Sequence, residues 1–421
     1  MASGMVLEKV KSAGLAHLSY LIGHQGRGAV IDPRRDCRVY VEMAHSRGVR
    51  IDYIFETHRN EDYLIGSKDL ARMTGAEIYH GRQLAFHYGS PAAEGDTFEL
   101  GDLQLEILET PGHTFESISI AVFDTQFGEE AVAVFTGDAL FVGDVGRTDF
   151  FPDRAREVAG LLYNSIFDKL LPLGDQAILL PAHGAGSVCG DSMAEREFST
   201  LGLERRSNPM LAQTDREQFI AAKLKEQHDQ PPYFKRMEIL NLEGSARPLG
   251  EIHPPPPLSA SRFDARVEQG ARILDVRSPE ALGGALIPGS LGIPLEMVPA
   301  FAGWFLPADR DIVLVVDRYD AALTAWRHLM RIGYDRIAGY LDEGLHGWEI
   351  SGRPYQTIPA VPTSELVRRI QAEEDFMLLD VRKAKEFAGG HLPGAKNIYL
   401  GELPGRLDHI PRDKPVVTFC G

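Results

Sequence analysis

The run Phe55-Glu56-Thr57-His58-Arg59-Asn60-Glu61-Asp62-Tyr63 sets a histidine and an aspartate four residues apart. It follows an apolar stretch (Ile51, Tyr53, Ile54, Phe55) whose composition predicts a buried strand. Loops leaving strands are where catalytic and metal-binding side chains concentrate, because the sheet edge fixes them. One histidine by itself is commonly a core or surface residue. Three further stretches repeat the arrangement: Thr110-Pro111-Gly112-His113-Thr114, Phe135-Thr136-Gly137-Asp138-Ala139-Leu140 and Leu180-Pro181-Ala182-His183-Gly184-Ala185-Gly186. Each sets one His or Asp just after a β-rich run, at Leu103 to Leu108, Ala131 to Phe135 and Ala177 to Leu180. Four such residues at four strand exits predict side chains converging on one edge of a sheet.

This set resembles the metallo-β-lactamase superfamily, and within it the glyoxalase II and persulfide dioxygenase branch. The resemblance implies an αββα sandwich; strand and helix pattern alone supports α/β or α+β. The hydrolase form of the first motif is His-x-His-x-Asp-His, which supports two zinc ions. Here His58 and Asp62 are kept, while Asn60 and Tyr63 stand where two more histidines would be. Neither is a usual zinc ligand. What the resemblance leaves intact is His58, His113 and Asp138, a two-His, one-carboxylate set of the kind that holds Fe(II) in non-haem oxygenases. It implies one Fe(II) per chain, with zinc as the alternative. Tyr63, Arg147 and His183 are the catalytic candidates. The Tyr63 phenol either donates to substrate or to an oxygen on the metal, or fills the volume of the missing ligand. His183 matches a second-metal ligand of the hydrolases and is expected to act as a hydrogen bonder to the ligands. Arg147 lies in Gly146-Arg147-Thr148-Asp149, which also looks like the dioxygenase branch.

Other residues near the motifs carry blander expectations. Glu56 and Glu61 read as solvated or as supports for the ligands, and His17, His80 and His87 as structural or exposed. Cys189 reads as a small packed residue. Leu18 to Ile22 and Gly28 to Ile31 predict paired strands, and Cys37 to Ser46 a helix. Lys68 to Met73 predicts a helix capped by Ser67, and Ala155 to Leu171 an amphipathic helix. Thr214-Asp215-Arg216-Glu217 reads as a capping box opening a helix through Lys225.

The 421 residues suffice for two or three domains with their own cores. A net charge of −16 argues against nucleic acid or an anionic membrane as partner. No window approaches a membrane span, and no signal-peptide pattern opens the chain. Three cysteines, Cys37, Cys189 and Cys420, are too few and scattered for a disulfide framework, so a reducing cytoplasm is expected.

Pro254 to Pro257 lie in a Pro-rich stretch that marks the clearest boundary. Beyond it, Ile273-Leu274-Asp275-Val276-Arg277 recurs as Leu378-Leu379-Asp380-Val381-Arg382, and Ile287-Pro288-Gly289 as Leu392-Pro393-Gly394, both 105 residues on. So long a period marks duplicated domains. Both copies resemble the rhodanese family, a parallel α/β fold that carries sulfane sulfur on a Cys in a Cys-x-x-x-x-Arg loop. The first copy has Asp317 at the expected loop start and Ala322 in the arginine's place. The second has Cys420, followed by Gly421, and is expected to be the N-terminal part of such a domain. Without the rest of its loop, that thiol is expected to be inactive. The boundaries are therefore read as 1–245 for the metal domain, 246–261 for the linker, 262–358 for a rhodanese-like domain lacking its nucleophile, and 359–421 for part of a second.

Three functions fit this reading. The first is an iron persulfide dioxygenase, in the cytoplasm and as a homo-oligomer, that uses O2 to oxidise the sulfane sulfur of a low-molecular-weight thiol persulfide to sulfite. The second is a glyoxalase II-like thioester hydrolase. The third is a non-enzymatic sulfur-handling scaffold.

Overall fold

The computed structural model describes residues 4–187, 190, 193–226 and 228–420. Cys189 and Gly421 lie outside the described residues. The chain divides into two compact units, Met1–His253 with Arg327–Asp335, and Pro254–Trp326 with Arg336–Gly421.

The first unit is built on two sheets. Strands β1 (Val6–Ser12), β2 (His17–His24), β3 (Arg27–Ile31), β4 (Arg50–Glu56), β5 (Glu77–Gly81) and β6 (Ser90–Ala92) follow one another in space as in sequence. β7 (Thr97–Leu100), β8 (Leu103–Glu109), β9 (Ile118–Asp124), β10 (Ala131–Gly137) and β11 (Ile178–Pro181) form the second sheet, in the order β11-β10-β9-β8-β7. Successive strand side chains point to opposite faces, and the sequence uses both. Tyr20, Ile22, Phe55, Leu105, Ile107, Ile120 and Phe135 fill the core between the sheets. Their neighbours Leu21 and Ile54 pack outward with Tyr40 and Ala44 of α1 (Arg38–Ser46) and Leu70 of α2 (Ser67–Thr74). On the other side, Ala121, Val134 and Leu179 meet Leu162 of α3 (Ala155–Asn164) and Ile166 beyond it. The result is the four-layer αββα sandwich. The unit also holds α4 (Leu201–Ser207), α5 (Arg216–Lys223) and α6 (Phe234–Glu243).

Three local expectations change. α3 passes into a π turn over Ser165–Leu170 instead of running straight to Leu171. Ser67 is the first residue of α2, whose N-cap is Gly66. Asp215, not Thr214, caps α5, accepting from the Gln218 amide at 2.9 Å.

Along the chain from Pro254, β12 (Pro257–Leu258), α7 (Ala260–Glu268), β13 (Arg272–Asp275), α8 (Pro279–Gly284), β14 (Leu291–Gly292), α9 (Val298–Phe305), β15 (Ile312–Val315), α10 (Tyr319–Arg331), β16 (Ile337–Leu341) and α11 (Gly344–Ile350) follow in turn. The strands form a parallel sheet in the order β12-β16-β15-β13-β14. Parallel neighbours need crossovers, which the helices supply. The second copy contributes α12 (Thr363–Gln371), β17 (Met377–Asp380), α13 (Ala384–Gly389), β18 (Lys396–Asn397) and β19 (Val416–Phe419), its parallel strands ordered β18-β17-β19. The repeat persists in the pairing: Leu274 lies opposite Leu291, and Leu379 opposite Lys396. It also persists in chemistry, since Arg277 grips Asp275 and Arg382 grips Asp380 through the same two guanidinium nitrogens.

The register corrects one expectation. Asp275 pairs with Val315 and Asp380 with Phe419, so Cys420 corresponds to Val316 and not to Asp317. The amides of Val276 and Val381, which bond Val315 and Phe419, give the same match. The lack of a nucleophile in the first copy is unaffected. Among the described residues, no helix is long and apolar enough to cross a membrane.

Candidate metal centre

His58 sits one residue past Thr57, at the exit of β4. The Thr57 amide and hydroxyl both donate to the Asp32 carboxylate, each at 2.8 Å. With its proton spent there, the Thr57 oxygen accepts from His58 Nδ1 at 2.9 Å. The His58 proton is thereby placed on Nδ1, and the Nε2 lone pair is left bare; Nε2 is buried with no hydrogen-bond partner. Burial pushes His58 down to about 4, so the ring is neutral near pH 7.

His113 holds its Nδ1 in the same way but differs in charge: burial opposes its protonation, and Glu61 with Asp138 more than offsets that and raises it above the ordinary imidazole value. Its Nδ1 lies 3.1 Å from the Arg147 carbonyl, which can only accept, and its buried Nε2 makes no hydrogen bond. Asp138 Oδ2 stands 3.6 Å from His113 Nε2 and 3.9 Å from His58 Nε2. Its approach depends on Gly137, which adopts φ +52° and whose missing Cβ would lie 2.7 Å from Thr57 Oγ1. Burial opposes ionisation of Asp138, but the imidazoles of His183, His58 and His113 more than offset it and hold the carboxyl well below its ordinary range.

His183 lies between two carboxylates. Its Nδ1 is 2.8 Å from Asp138 Oδ1 and its Nε2 is 2.9 Å from Asp62 Oδ2. Both ring nitrogens are thus taken up by carboxylates, and the ring orients Asp138 toward the two histidines. Arg147 is fully buried, and its Nε and one Nη reach the two oxygens of Asp149 at 2.7 and 2.8 Å. It touches the cluster through its backbone carbonyl. Tyr63 is buried, with its ring centroid 3.9 Å from that of His17 and its hydroxyl without a hydrogen-bond partner. Asn60 is buried and turns its Nδ2 back to the His58 carbonyl at 3.2 Å.

For the other residues the structure selects among the alternatives: the two glutamates are buried and not solvated, His17 and His80 are structural, and His87 is exposed. Glu61 is only 2% exposed, its Oε1 lies 3.3 Å from His113 Nε2, and ligand-type atoms of His58, Glu61 and His113 all fall within 4.8 Å of one another. Glu56 is buried as well and accepts from the Tyr88 hydroxyl. His17, which begins β2, is buried and bridges to His183 through the backbone. His80 is held by the Tyr88 carbonyl, and His87 is an exposed partner of Glu243. Asp32, Asn241 and Tyr233 were not singled out at all. Asn241 Nδ2 donates to the carbonyls of Asn60 and Tyr63 at 2.7 and 2.8 Å, and the Tyr233 hydroxyl to that of Asp62 at 2.8 Å. Asp32 left one trace in sequence, an Asp-Pro step closing an apolar strand; Asn241 and Tyr233 left none.

Two clefts flank the cluster. One of about 490 Å³ is lined by His17, His183, Lys9, Lys11 and Arg196. The other, of about 450 Å³, is lined by Arg59, Phe115, Phe151 and Arg154.

The chain matches the model of the metallo-beta-lactamase superfamily over residues 13–183 and that of the rhodanese-like domain over 259–351 and 363–421. A solved structure, a metallo-beta-lactamase from Staphylococcus aureus subsp. aureus COL, is 31% identical; the match covers 80% of this chain and 99% of that one, with a TM-score of 0.72. The chain belongs to the metallo-β-lactamase superfamily, with rhodanese-like domains following the metallo-β-lactamase domain. Its metallo-β-lactamase part is similar to two kinds of enzyme. Hydroxyacylglutathione hydrolase GloC of Haemophilus influenzae is 29% identical over 205 residues, 44% of this chain and 86% of that protein. Persulfide dioxygenase ETHE1 of Bos taurus is 30% identical over 201 residues, 46% of this chain and 70% of that protein.

Proposed function

We propose that this metallo-β-lactamase-fold chain is an iron-dependent persulfide dioxygenase, with His58, His113 and Asp138 as metal ligands. One observation carries the reading: two buried imidazole nitrogens, His58 Nε2 and His113 Nε2, face Asp138 without hydrogen-bond partners while their opposite nitrogens are held as donors. Such orphaned atoms are costly unless something binds them. Two imidazoles and a carboxylate suit Fe(II). The reaction is RSSH + O2 + H2O → RSH + SO3²⁻ + 2 H⁺, in which the sulfane sulfur is oxidised and O2 reduced. Iron held there supplies the open positions and the redox capacity that this chemistry needs.

The remaining residues position the ligands. Asp32 and Thr57 fix the tautomer of His58, and the Arg147 carbonyl that of His113. His183, backed by Asp62, orients Asp138. Support by such partners is a general requirement of metal sites. The tilted contact of the Tyr63 ring with His17 suits the space-filling role considered for it, and its buried, unpartnered hydroxyl suits the donor role.

The similarity to the GloC hydrolase favours a second reading, metal-dependent thioester hydrolysis. Asn60 and Tyr63 weigh against it, since a two-zinc site would lack one imidazole at each metal. Protein purified without air and loaded with Fe(II) is expected to consume O2 and release sulfite from a low-molecular-weight persulfide, and Asp138→Ala to abolish both. Thioester hydrolysis by the zinc form, with O2 untouched by the iron form, would establish the hydrolase instead.

A further inference from the structure

We propose that Glu61 binds the same ion, so that the centre of this chain is His58, Glu61, His113 and Asp138. The inference rests on the metal reading above and goes beyond its three-residue set. Glu61 follows directly on Asn60, where the hydrolase pattern has an imidazole and this chain has none. It is buried beside His58 Nε2, which makes no hydrogen bond, and its own Oε1 faces His113 Nε2. Two atoms bound to one ion at about 2.0–2.2 Å stand about 3.0–3.4 Å apart at ordinary coordination angles. The 3.3 Å between Glu61 Oε1 and His113 Nε2 falls in that window; the 3.6 and 3.9 Å from Asp138 to the two imidazoles lie just outside it.

The fourth ligand selects among metals. Zinc is usually four-coordinate, so four protein ligands close it and leave no place for a reactive water. An ion that accepts six ligands keeps two positions, enough for one sulfur and one O2. Glu61 thereby turns a site whose fold also serves hydrolases toward oxidation.

The test compares wild type with Glu61→Gln and Asp138→Ala, each stripped of metal and titrated with Fe(II) and Co(II) against a competing chelator without air. Urea unfolding of the metal-free forms establishes that each is folded. Glu61→Gln is expected to weaken binding about 10–100-fold, the scale seen on losing even an outer partner of a ligand, and to change the Co(II) absorption bands. If it binds both ions with wild-type affinity and unchanged bands while Asp138→Ala does not, Glu61 is only an ion-pair partner of His113; the inference falls and the three-residue reading stands. If the wild type itself binds neither ion, both fall together.

Discussion

At the scale of single residues, the site turns on where protons sit. Once ionised, Asp32 holds the Thr57 hydroxyl as a donor, which leaves that oxygen to accept from His58 Nδ1. In Asp32→Asn the amide oxygen serves the Thr57 backbone and the amide nitrogen faces Thr57 Oγ1. The hydroxyl proton then turns to His58 Nδ1 and drives the imidazole proton to Nε2. Asn also tolerates the left-handed φ of 50° found at Asp32, so the fold is kept. Metal affinity is expected to drop about 10–100-fold, read by chelator competition. The same residue gives a pH signature. Burial raises the Asp32 carboxyl from 3.8 to about 7, so between those values the folded protein holds a proton that the unfolded chain has released. Stability then falls as pH rises through that window, and Asp32→Asn removes the effect. Urea midpoints of the metal-free proteins should therefore shift in favour of the variant from about pH 4 to 7 and stay parallel above; a difference independent of pH would refute this assignment. His58, His113, Asp138 and His183 were legible as a converging set because each follows a strand. Glu61 and Asp32 were not, since what distinguishes them is burial beside groups far away in sequence.

At the scale of elements, α6 is what holds the loop after β4. Asn241 donates to the carbonyls of Asn60 and Tyr63 and accepts from the Ile65 amide at 3.0 Å. Replacing it by Ala leaves two carbonyls and an amide without partners, at a cost of about 2–4 kcal/mol. Denaturant unfolding should show that loss, and amide exchange over residues 60–65 should accelerate; unchanged exchange would mean that the loop holds itself. The strands and the helix layers were readable because alternation, as at Leu21 and Ile22 or Ile54 and Phe55, states which side faces which layer. Helix ends were less so. A Ser-Lys-Asp start looks like a cap whether Ser67 precedes the first turn or belongs to it, and α3 widens into a π turn where no sequence mark appears. Nor does anything in the α6 sequence announce Asn241, whose partners belong to another element.

At the scale of the whole molecule, the duplication after the linker was plain from Asp-Val-Arg and its repeat, but the loop alignment was off by one. An apolar strand ending Val-Val-Asp offers no internal reference; only pairing with β13 decides that Val316 stands where Cys420 does. Both residues are therefore worth replacing. Neither Val316→Cys nor Asp317→Cys should bring thiosulfate sulfurtransferase activity above background, since no arginine lies four to six residues on, where Asp320, Ala321, Ala322 and Leu323 stand. Activity of either variant comparable to an authentic rhodanese would show that the loop needs only its thiol. In the other unit, His58, Glu61, His113 and Asp138 are each at most 2% exposed, and neither flanking cleft is lined by any of them. Traffic to such a place, of an ion as of a substrate, needs the loops around it to open, the Asn241-tied loop among them. The breathing of that loop then sets the pace at which the centre fills and empties, so a chelator titration of this protein reads affinity only once it has been left to settle.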